Sequence, residues 1–120
     1  MILLDSNIFI YLASGMLDRK TVMGKDISHA SITKIECLGF SRIHANELLL
    51  LEALFSESYD LPLTDGVVEQ AIKLRQAKGM SLGDAIIAAT ALEHDYELWT
   101  ANVDDFAHIE NLRIRNPVRS

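Results

Sequence analysis

The sequence predicts an α/β fold, a three-layer sandwich in which helices flank a central parallel sheet of four to five strands. Short apolar runs of strand length alternate with longer segments of helical pattern, which indicates βαβ crossovers. The segment 82–92 is apolar on nearly every side, as expected for a helix buried in such a fold. A chain of 120 residues without a linker, repeat or low-complexity tract should form one domain over residues 1–120.

The N-terminal half is expected to contain two strands and three helices. Residues 1–4 are apolar and end at Asp5, a pattern typical of a buried parallel strand. Ser6 is the predicted N-cap of a helix that ends near Gly15, and the polar segment 18–26 indicates a loop or a weak helix. The next elements are a strand over 27–32, a helix from Thr33 to about Arg42, and a leucine-rich helix from about Ala45 to Ser58.

The C-terminal half continues the alternation of strands and helices. A short strand is expected over 59–63, and Thr64 should cap a long helix that Gly79 ends. Ser81 is the predicted N-cap of the buried helix, which runs to about His94. Two further strands are expected over 97–100 and, at the edge of the sheet, over 112–115.

Four acidic residues lie where a strand or loop gives way to a helix. Asp5 ends the first strand, Glu36 lies one turn into the helix after the second, and Asp105 follows the fourth. Asp84 lies in the first turn of the buried helix, which should direct it towards the same cleft. Because the carboxyl ends of parallel strands share one edge of the sheet, these carboxylates are expected to converge there. Such an all-oxygen site suits Mg²⁺ or Mn²⁺.

Helix capping is the competing explanation for some of these acids. Thr33 and Glu36 have the spacing of a capping box, and Asp84 follows Ser81 at nearly the same spacing. Acids in a first helical turn are stabilised by the helix dipole by about 0.3–1 kcal/mol. Capping does not explain Asp5, which ends an apolar strand, or the succession of acids along one edge. We therefore favour a functional site.

The segments around these acids resemble, in the same order, those of the PIN-domain ribonucleases, and most closely the VapC-type toxins of bacterial and archaeal toxin–antitoxin pairs. The segments are 3–7 (LLDSN), 31–36 (SITKIE), 82–92 (LGDAIIAATAL) and 99–106 (WTANVDDF). The resemblance extends from Met1 to about Pro117 and implies a PIN-like sandwich. It also implies a metal-dependent endoribonuclease that uses Mg²⁺ or Mn²⁺.

The resemblance implies a role for each acid. Asp5 and Asp84 would be the principal metal ligands, and Glu36 and Asp105 would bind a second ion or hold metal-bound water. The residues expected to orient the carboxylates, the water or the substrate are Asn7, Thr33, Thr100, Asn102 and Asp104. The cations that could contact RNA beside the cleft are Lys34, Arg75 and Lys78.

The resemblance also implies partners, namely an RNA substrate, a VapB-type antitoxin and a second copy of the chain. The leucines at 48–51, followed by apolar residues at 53–55, place apolar groups on more than one face of a helix, which supports a homodimer. The antitoxin is expected to lay an apolar helix in a groove beside this leucine-rich helix. Its arginine or lysine would then reach Asp5, Glu36 and Asp84.

The last of the four segments departs from the family pattern. Ala101 stands where relatives carry arginine, and Asn102 stands where they often carry aspartate. Asp105 precedes phenylalanine as in relatives, but Asp104 or Asn102 could supply the fourth position instead. These departures keep a non-catalytic, PIN-like interaction module open as an alternative.

Another Mg²⁺-dependent phosphohydrolase of similar architecture is a further alternative. A haloacid-dehalogenase-type phosphatase would need Asp-x-Asp after the first strand, whereas this chain has Asn7 two residues after Asp5. The histidines have no metal-ligand spacing and are interpreted as surface or loop residues. They are His29, His44, His94 and His108.

Composition narrows the class of protein further. A net charge of −6 argues against a simple nucleic-acid-binding module, but less against a nuclease whose bound cations invert the local field. The single cysteine, Cys37, excludes an internal disulfide and fits a reducing compartment. No apolar stretch could cross a bilayer, and the N-terminus lacks the basic start of a signal peptide. We expect a cytoplasmic protein without a membrane partner, whose target RNA and preferred metal the sequence leaves open.

Overall fold

The computed structural model describes residues 1–118, which contain five strands and five α-helices. The strands are β1 (Ile2–Leu4), β2 (Ile27–Ala30), β3 (Tyr59–Leu61), β4 (Glu97–Trp99) and β5 (Ile114–Arg115). The helices are α1 (Ser6–Ser14), α2 (Ser31–Leu38), α3 (Ala45–Ser56), α4 (Asp65–Ala77) and α5 (Leu82–His94). Short 3-10 turns lie at Arg19–Thr21 and Val103–Asp105. Over these residues, no helix is both long and apolar enough to cross a membrane.

All five strands belong to one parallel sheet in the order β3-β2-β1-β4-β5. The central strand β1 pairs with β2, where Ile2 lies opposite Ile27, and with β4, where Leu4 lies opposite Trp99. The predicted parallel sheet of four to five strands is thereby confirmed. Because β1 is central, Asp5 stands at the middle of the carboxyl edge of the sheet.

Helices cover both faces of the sheet, because alternate residues of β1 point to opposite sides. Leu4 packs with Phe9 of α1 and Phe55 of α3 on one face. Leu3 packs with Ala88 of α5 on the other face. These two apolar layers confirm the predicted three-layer sandwich.

Helix α5 is buried between the sheet and α4, as its apolar sequence predicts. Its fully buried face comprises Ala85, Ile87, Ala88, Ala89, Thr90 and Ala91. On its outer side α4 packs against it through Val67 and Ala71. At Gly66 of α4 a Cβ would lie 2.7 Å from Oε2 of Glu93, the flexible end of a side chain of α5. The small side chains of α5 thus hold Asp84, in its first turn, beside the sheet.

Two predicted helix starts are wrong. Asp5, not Ser6, is the N-cap of α1, and its Oδ1 accepts the N–H of Ile8 at 3.2 Å. Helix α2 begins at Ser31 rather than at Thr33, so the proposed capping box does not form. The reason lies in the pairing of β2 with β3. Strand β3 ends at Leu61, opposite Ala30, so β2 has no partner in β3 beyond Ala30, and the chain enters α2 earlier than predicted. Helix α2 also ends at Leu38, before the predicted Arg42.

The other predicted caps are confirmed. Thr64 Oγ1 accepts the N–H of Val67 at 3.2 Å at the start of α4. Ser81 Oγ accepts the N–H of Asp84 at 3.1 Å at the start of α5. These side chains satisfy N–H groups that a helix start otherwise leaves without partners.

The leucine-rich helix α3 is more buried than its sequence suggests. Leu51, Leu54 and Phe55 belong to the core, and among its large apolar side chains Leu49 is the clearly exposed one, at 66%. The more extensive exposed apolar surface lies along α4 and α5. A groove of about 520 Å³ there is lined by Leu63, Val68, Ala71, Ile72, Leu82 and Ile86, with Arg75 and Gln76.

Candidate functional site

Asp5 is the most buried of the four acids, at 5% exposure. Its backbone N–H donates to the carbonyl of Trp99 at 3.1 Å, which fixes it at the end of β1 beside β4. Its Oδ2 accepts the hydroxyl hydrogen of Thr100 at 2.5 Å, while Oδ1 serves as the cap of α1. Burial raises the pKa of Asp5, and these hydrogen bonds oppose that shift.

Asp84 is an electrostatic neighbour of both Asp5 and Asp105. The pKa of Asp84 is raised, chiefly by partial burial and further by the charge of Asp105. The charge of Asp84 in turn raises the pKa of Asp5. Asp84 therefore repels two carboxylates that come from distant parts of the sequence, Asp5 on one side and Asp105 on the other.

Glu36 approaches the same edge from α2. Its Oε1 accepts a hydrogen bond from Ser6 Oγ at 3.0 Å. A Cβ added at Gly83 would lie 3.5 Å from Glu36 Oε2, an ordinary contact distance, so this carboxylate lies beside the first turn of α5. Sequence reasoning missed the role of Ser6, whose one signal was its position directly after Asp5.

The donor chemistry fits a hard divalent cation, because the edge offers carboxylate oxygens and nearby hydroxyl groups. A bound cation would also lower the raised pKa values of Asp5 and Asp84. Across residues 1–118, however, no three histidine, cysteine, aspartate or glutamate side chains are grouped closely enough to hold a metal ion. The carboxylates thus converge on one region but do not form a ready-made cage.

The orienting residues predicted from the sequence lie in different settings. Thr100 contacts Asp5 directly and also accepts the backbone N–H of Asn102 at 3.0 Å. A backbone hydrogen bond from Asn7 contributes to lowering the pKa of Asp5. Thr33 is fully buried in α2, and its Oγ1 has no hydrogen-bond partner among the residues described.

The fourth acidic position has three candidates that share one depression. A cavity of about 460 Å³ is lined by Ala101, Asn102, Val103, Asp104, Asp105 and Asn116. Asp105 is the candidate whose charge reaches Asp84. This charge interaction favours Asp105 as the fourth acid.

The three predicted RNA-contacting cations separate in space. Lys78 lines a second cavity, of about 200 Å³, together with Asp84, Asp104 and Asp105. Arg75 instead lines the apolar α4–α5 groove, and its Nε donates to the carbonyl of Met80 at 3.2 Å. Lys34 is exposed on α2, and its charge acts on His29.

One histidine is not the surface residue that we predicted. His29 lies in β2 at 1% exposure, packed edge-on against the stacked rings of Phe9 and Phe55. Its Nδ1 lies 2.7 Å from Ser58 Oγ, and Nε2 lies 3.2 Å from Asp60 Oδ1, outside hydrogen-bond geometry. The one signal of burial in the sequence is the position of His29 inside a predicted strand. His108 is exposed, as predicted, but lines the same cavity as Lys78.

Known proteins support the architecture described above. The model of the PIN domain family matches residues 2–112. No curated protein matches the chain. Among solved structures, a toxin–antitoxin complex from Klebsiella pneumoniae is 28% identical, with a TM-score of 0.79 and coverage of 98% of both chains.

Two further solved structures show the same fold at lower identity. VapBC2 from Rickettsia felis, bound to a DNA fragment from its promoter, is 22% identical with a TM-score of 0.81, covering 97% of this chain and 98% of the other. VapBC-1 from nontypeable Haemophilus influenzae is 22% identical with a TM-score of 0.79, covering 99% and 100%. Because the family model spans nearly the whole described chain, this chain belongs to the PIN domain family.

Proposed function

We propose that the chain is a VapC-type toxin, a metal-dependent endoribonuclease that acts on RNA in the cytoplasm and is restrained by a VapB-type antitoxin. PIN domains are generally nucleases, so family membership supports hydrolysis of phosphodiester bonds. The similarity to a toxin–antitoxin complex supports the toxin role. The observation that carries the proposal is the placement of Asp5 at the carboxyl end of the central strand, with Asp84 as its charged neighbour and Asp105 lining the same cavity as Asp84.

The proposal assigns metal binding to the acids of this edge. Asp5 and Asp84 would hold Mg²⁺ or Mn²⁺, with Asp105 and Glu36 contributing oxygens to a second ion or to bound water. When bound, the metal supplies an activated water and neutralises charge on the scissile phosphate.

Neighbouring hydroxyl groups keep two of these acids in position. The Thr100 hydroxyl holds Oδ2 of Asp5 and favours its ionised form. The Ser6 hydroxyl holds Oε1 of Glu36, which leaves Oε2, beside Gly83, to accept a proton from water.

The test is cleavage of single-stranded RNA with Mg²⁺ or Mn²⁺ and with EDTA. Asp84→Asn keeps the shape of the side chain but removes its charge, so we expect it to lose cleavage at least 100-fold, a typical effect of removing a charged catalytic group, about 10²–10⁴. Asp95→Asn, at the other end of α5, is the matched control and should cut at the wild-type rate. An Asp84→Asn protein as active as the control would refute the assigned site.

The proposed antitoxin site is a small apolar pocket that adjoins Glu36. The pocket, of about 210 Å³, is lined by Ile10, Glu36, Cys37, Phe40, Ile43, Glu47 and Leu51, which come from α1, α2, α3 and the segment between α2 and α3. An antitoxin helix seated there could place a guanidinium on Glu36 and on Asp5. A co-purified complex should then be inactive on RNA, whereas a complex that cuts at the free toxin's rate would contradict this mode of inhibition.

We also propose a homodimer, with its interface on α4 and α5 instead of on α3 as expected from the sequence. Leu49 alone is a weak basis for an interface on α3, whereas Leu63, Ile72 and Leu82 are each about half exposed along the α4–α5 groove. Apolar exposure of this extent supports self-association through α4 and α5.

A non-catalytic interaction module is the second candidate. It is favoured by the lack, within residues 1–118, of a preformed group of metal-binding side chains. The RNA cleavage assay separates the two candidates, since a module would be inactive with either metal and still bind its antitoxin. The phosphatase alternative is not supported by the family match.

A further inference from the structure

The cavity beside Asp84 combines acids with two groups that can bind an anion. Its volume is about 200 Å³, and it is lined by Lys78, Ser81, Asp84, Asp104, Asp105 and His108, with Gly79 and Met80. Lysine offers three N–H donors, and an imidazole offers at least one in either charge state. Lys78 and His108 are therefore the lining residues of this cavity that suit phosphate oxygens.

The backbone that carries His108 is fixed, although its side chain is exposed. It lies between Phe106 and Ile109, which are buried at 1% and 8% exposure. The backbone N–H of Ile109 donates to the carbonyl of Phe106 at 3.1 Å, so a turn closes around His108. This turn keeps the backbone of His108 at the edge of the cavity that its side chain lines.

Lys78 is also anchored through its backbone. Its N–H donates to the carbonyl of Leu74 at 3.2 Å at the end of α4, and Arg75 braces the following turn through Met80. Although three aspartates line the same cavity, Lys78 forms no ion pair within 4.0 Å in the described part of the chain, where the ion pairs are His29–Asp60 and Arg113–Asp95. The ammonium group is thus available to a ligand.

We propose that Lys78 and His108 form a binding subsite for the backbone phosphate adjacent to the phosphodiester that is cut. The inference rests on the proposed ribonuclease function and adds a substrate-positioning role to it. A single strand laid along this edge would place one phosphate at Asp84 and Asp105 and the next against Lys78 and His108. Lys34 and Arg75 lie outside this cavity, so Lys78 is the one predicted RNA-contacting cation that belongs to the subsite. His108 is a further member that the sequence did not predict.

The test is steady-state cleavage of a short single-stranded RNA by Lys78→Ala and His108→Ala. Each should raise KM about tenfold, since a hydrogen bond to a charged group contributes on the order of 1.5 kcal/mol. The value of kcat should change less than about twofold, because the contact is made equally in the ground and transition states. Lys73→Ala, an exposed lysine on the same helix that does not line the cavity, is the matched control.

Salt dependence separates phosphate binding from a structural role. Loss of one phosphate contact should reduce the slope of log affinity against log salt by about 0.7 for Lys78→Ala, as expected for single strands. Affinity is measured by fluorescence anisotropy in the Asp84→Asn background, which prevents cleavage. Lys78→Arg and His108→Arg should restore binding because they keep a donor.

The outcomes distinguish this inference from the function on which it rests. If wild type cuts RNA, and Lys78→Ala and His108→Ala match Lys73→Ala in KM and salt slope, the subsite is refuted while the ribonuclease function stands. If wild type neither binds nor cuts RNA with either metal, both are refuted. A selective rise in KM with a reduced salt slope supports the subsite.

Discussion

Replacement of Thr100 by valine tests the central contact of the candidate site. Valine keeps the branched shape of threonine, but it removes the hydroxyl that donates to Asp5 Oδ2 at 2.5 Å. It also removes the acceptor of the Asn102 N–H, although Asn102 is exposed and water can replace that partner. The principal loss is therefore one hydrogen bond to a buried carboxylate.

The structure gives both the size of the effect and its dependence on pH. A hydrogen bond to a charged group contributes about 1.5–3 kcal/mol, so Thr100→Val should lower the free energy of unfolding by roughly 2 kcal/mol at pH 7. Burial raises the pKa of Asp5 above its ordinary 3.8, and therefore the ionised form destabilises the folded state at neutral pH. That cost disappears as the pH falls through the folded-state pKa. Because the Thr100 hydrogen bond opposes the rise in the pKa of Asp5, the loss of unfolding free energy caused by Thr100→Val should become smaller over the same pH interval.

The assay is urea unfolding at pH 7 and at pH 4, with each variant compared with wild type at the same pH. Thr90→Val is the matched control, because Thr90 is equally buried but donates to the neutral carbonyl of Ile86, at 2.6 Å. We expect Thr90→Val to lower the free energy of unfolding by about 1 kcal/mol at both pH values. Equal losses in the two variants, with the same pH dependence, would refute the claim that Thr100 stabilises an ionised Asp5.

Three further predictions follow from other parts of the molecule. Asp84→Asn should unfold at or above the wild-type temperature without metal and gain less from Mn²⁺, because it removes a repelled, half-buried charge; a large loss of stability would contradict this. Burial lowers the pKa of His29 from 6.5, so the wild-type protein should lose stability as the pH falls below 6.5 towards the folded-state pKa. In urea unfolding, His29→Gln should lose less stability than wild type over that pH interval, and His44→Gln, at an exposed position, should behave as wild type. Light scattering at tens of micromolar should show a dimer that Ile72→Glu dissociates and Leu49→Glu does not, and the reverse pattern would return the interface to α3.

The fold could be predicted because its signals are local. The apolar run before Asp5 and the alanine-rich pattern of α5 each specify a buried element without reference to the rest of the chain. Helix caps of serine or threonine followed by a helical segment, as at Thr64 and Ser81, are equally local. The opposite faces of Leu3 and Leu4 then follow from the alternation of side chains along a strand, whereas the strand order was not predicted and comes from the structure.

Parts of the site could not be predicted because they depend on contacts between distant segments. His108 lines the cavity only because the turn at Phe106 and the end of α4 meet in space. His29 is buried because Phe9 and Phe55 approach it from two helices. Neither arrangement leaves a spacing in the sequence, whose pattern therefore predicts both histidines to be ordinary surface residues.

The wrong N-cap of α1 shows how such a distant contact determines the chemistry of the site. Asp5 and Ser6 are both good N-cap residues, and local preference does not choose between them. The choice is made by β4, because the Asp5 N–H pairs with the Trp99 carbonyl and holds Asp5 at the strand end, in extended conformation. Asp5 therefore caps the helix, and the Ser6 hydroxyl is left to bind Glu36. The pairing of β1 with β4 thus sets the position of Asp5 and, through Ser6, that of Glu36. The acids could be recognised from the sequence because the segments around them are local. Their hydroxyl partners depend on this pairing between distant strands, so they could be assigned only in part.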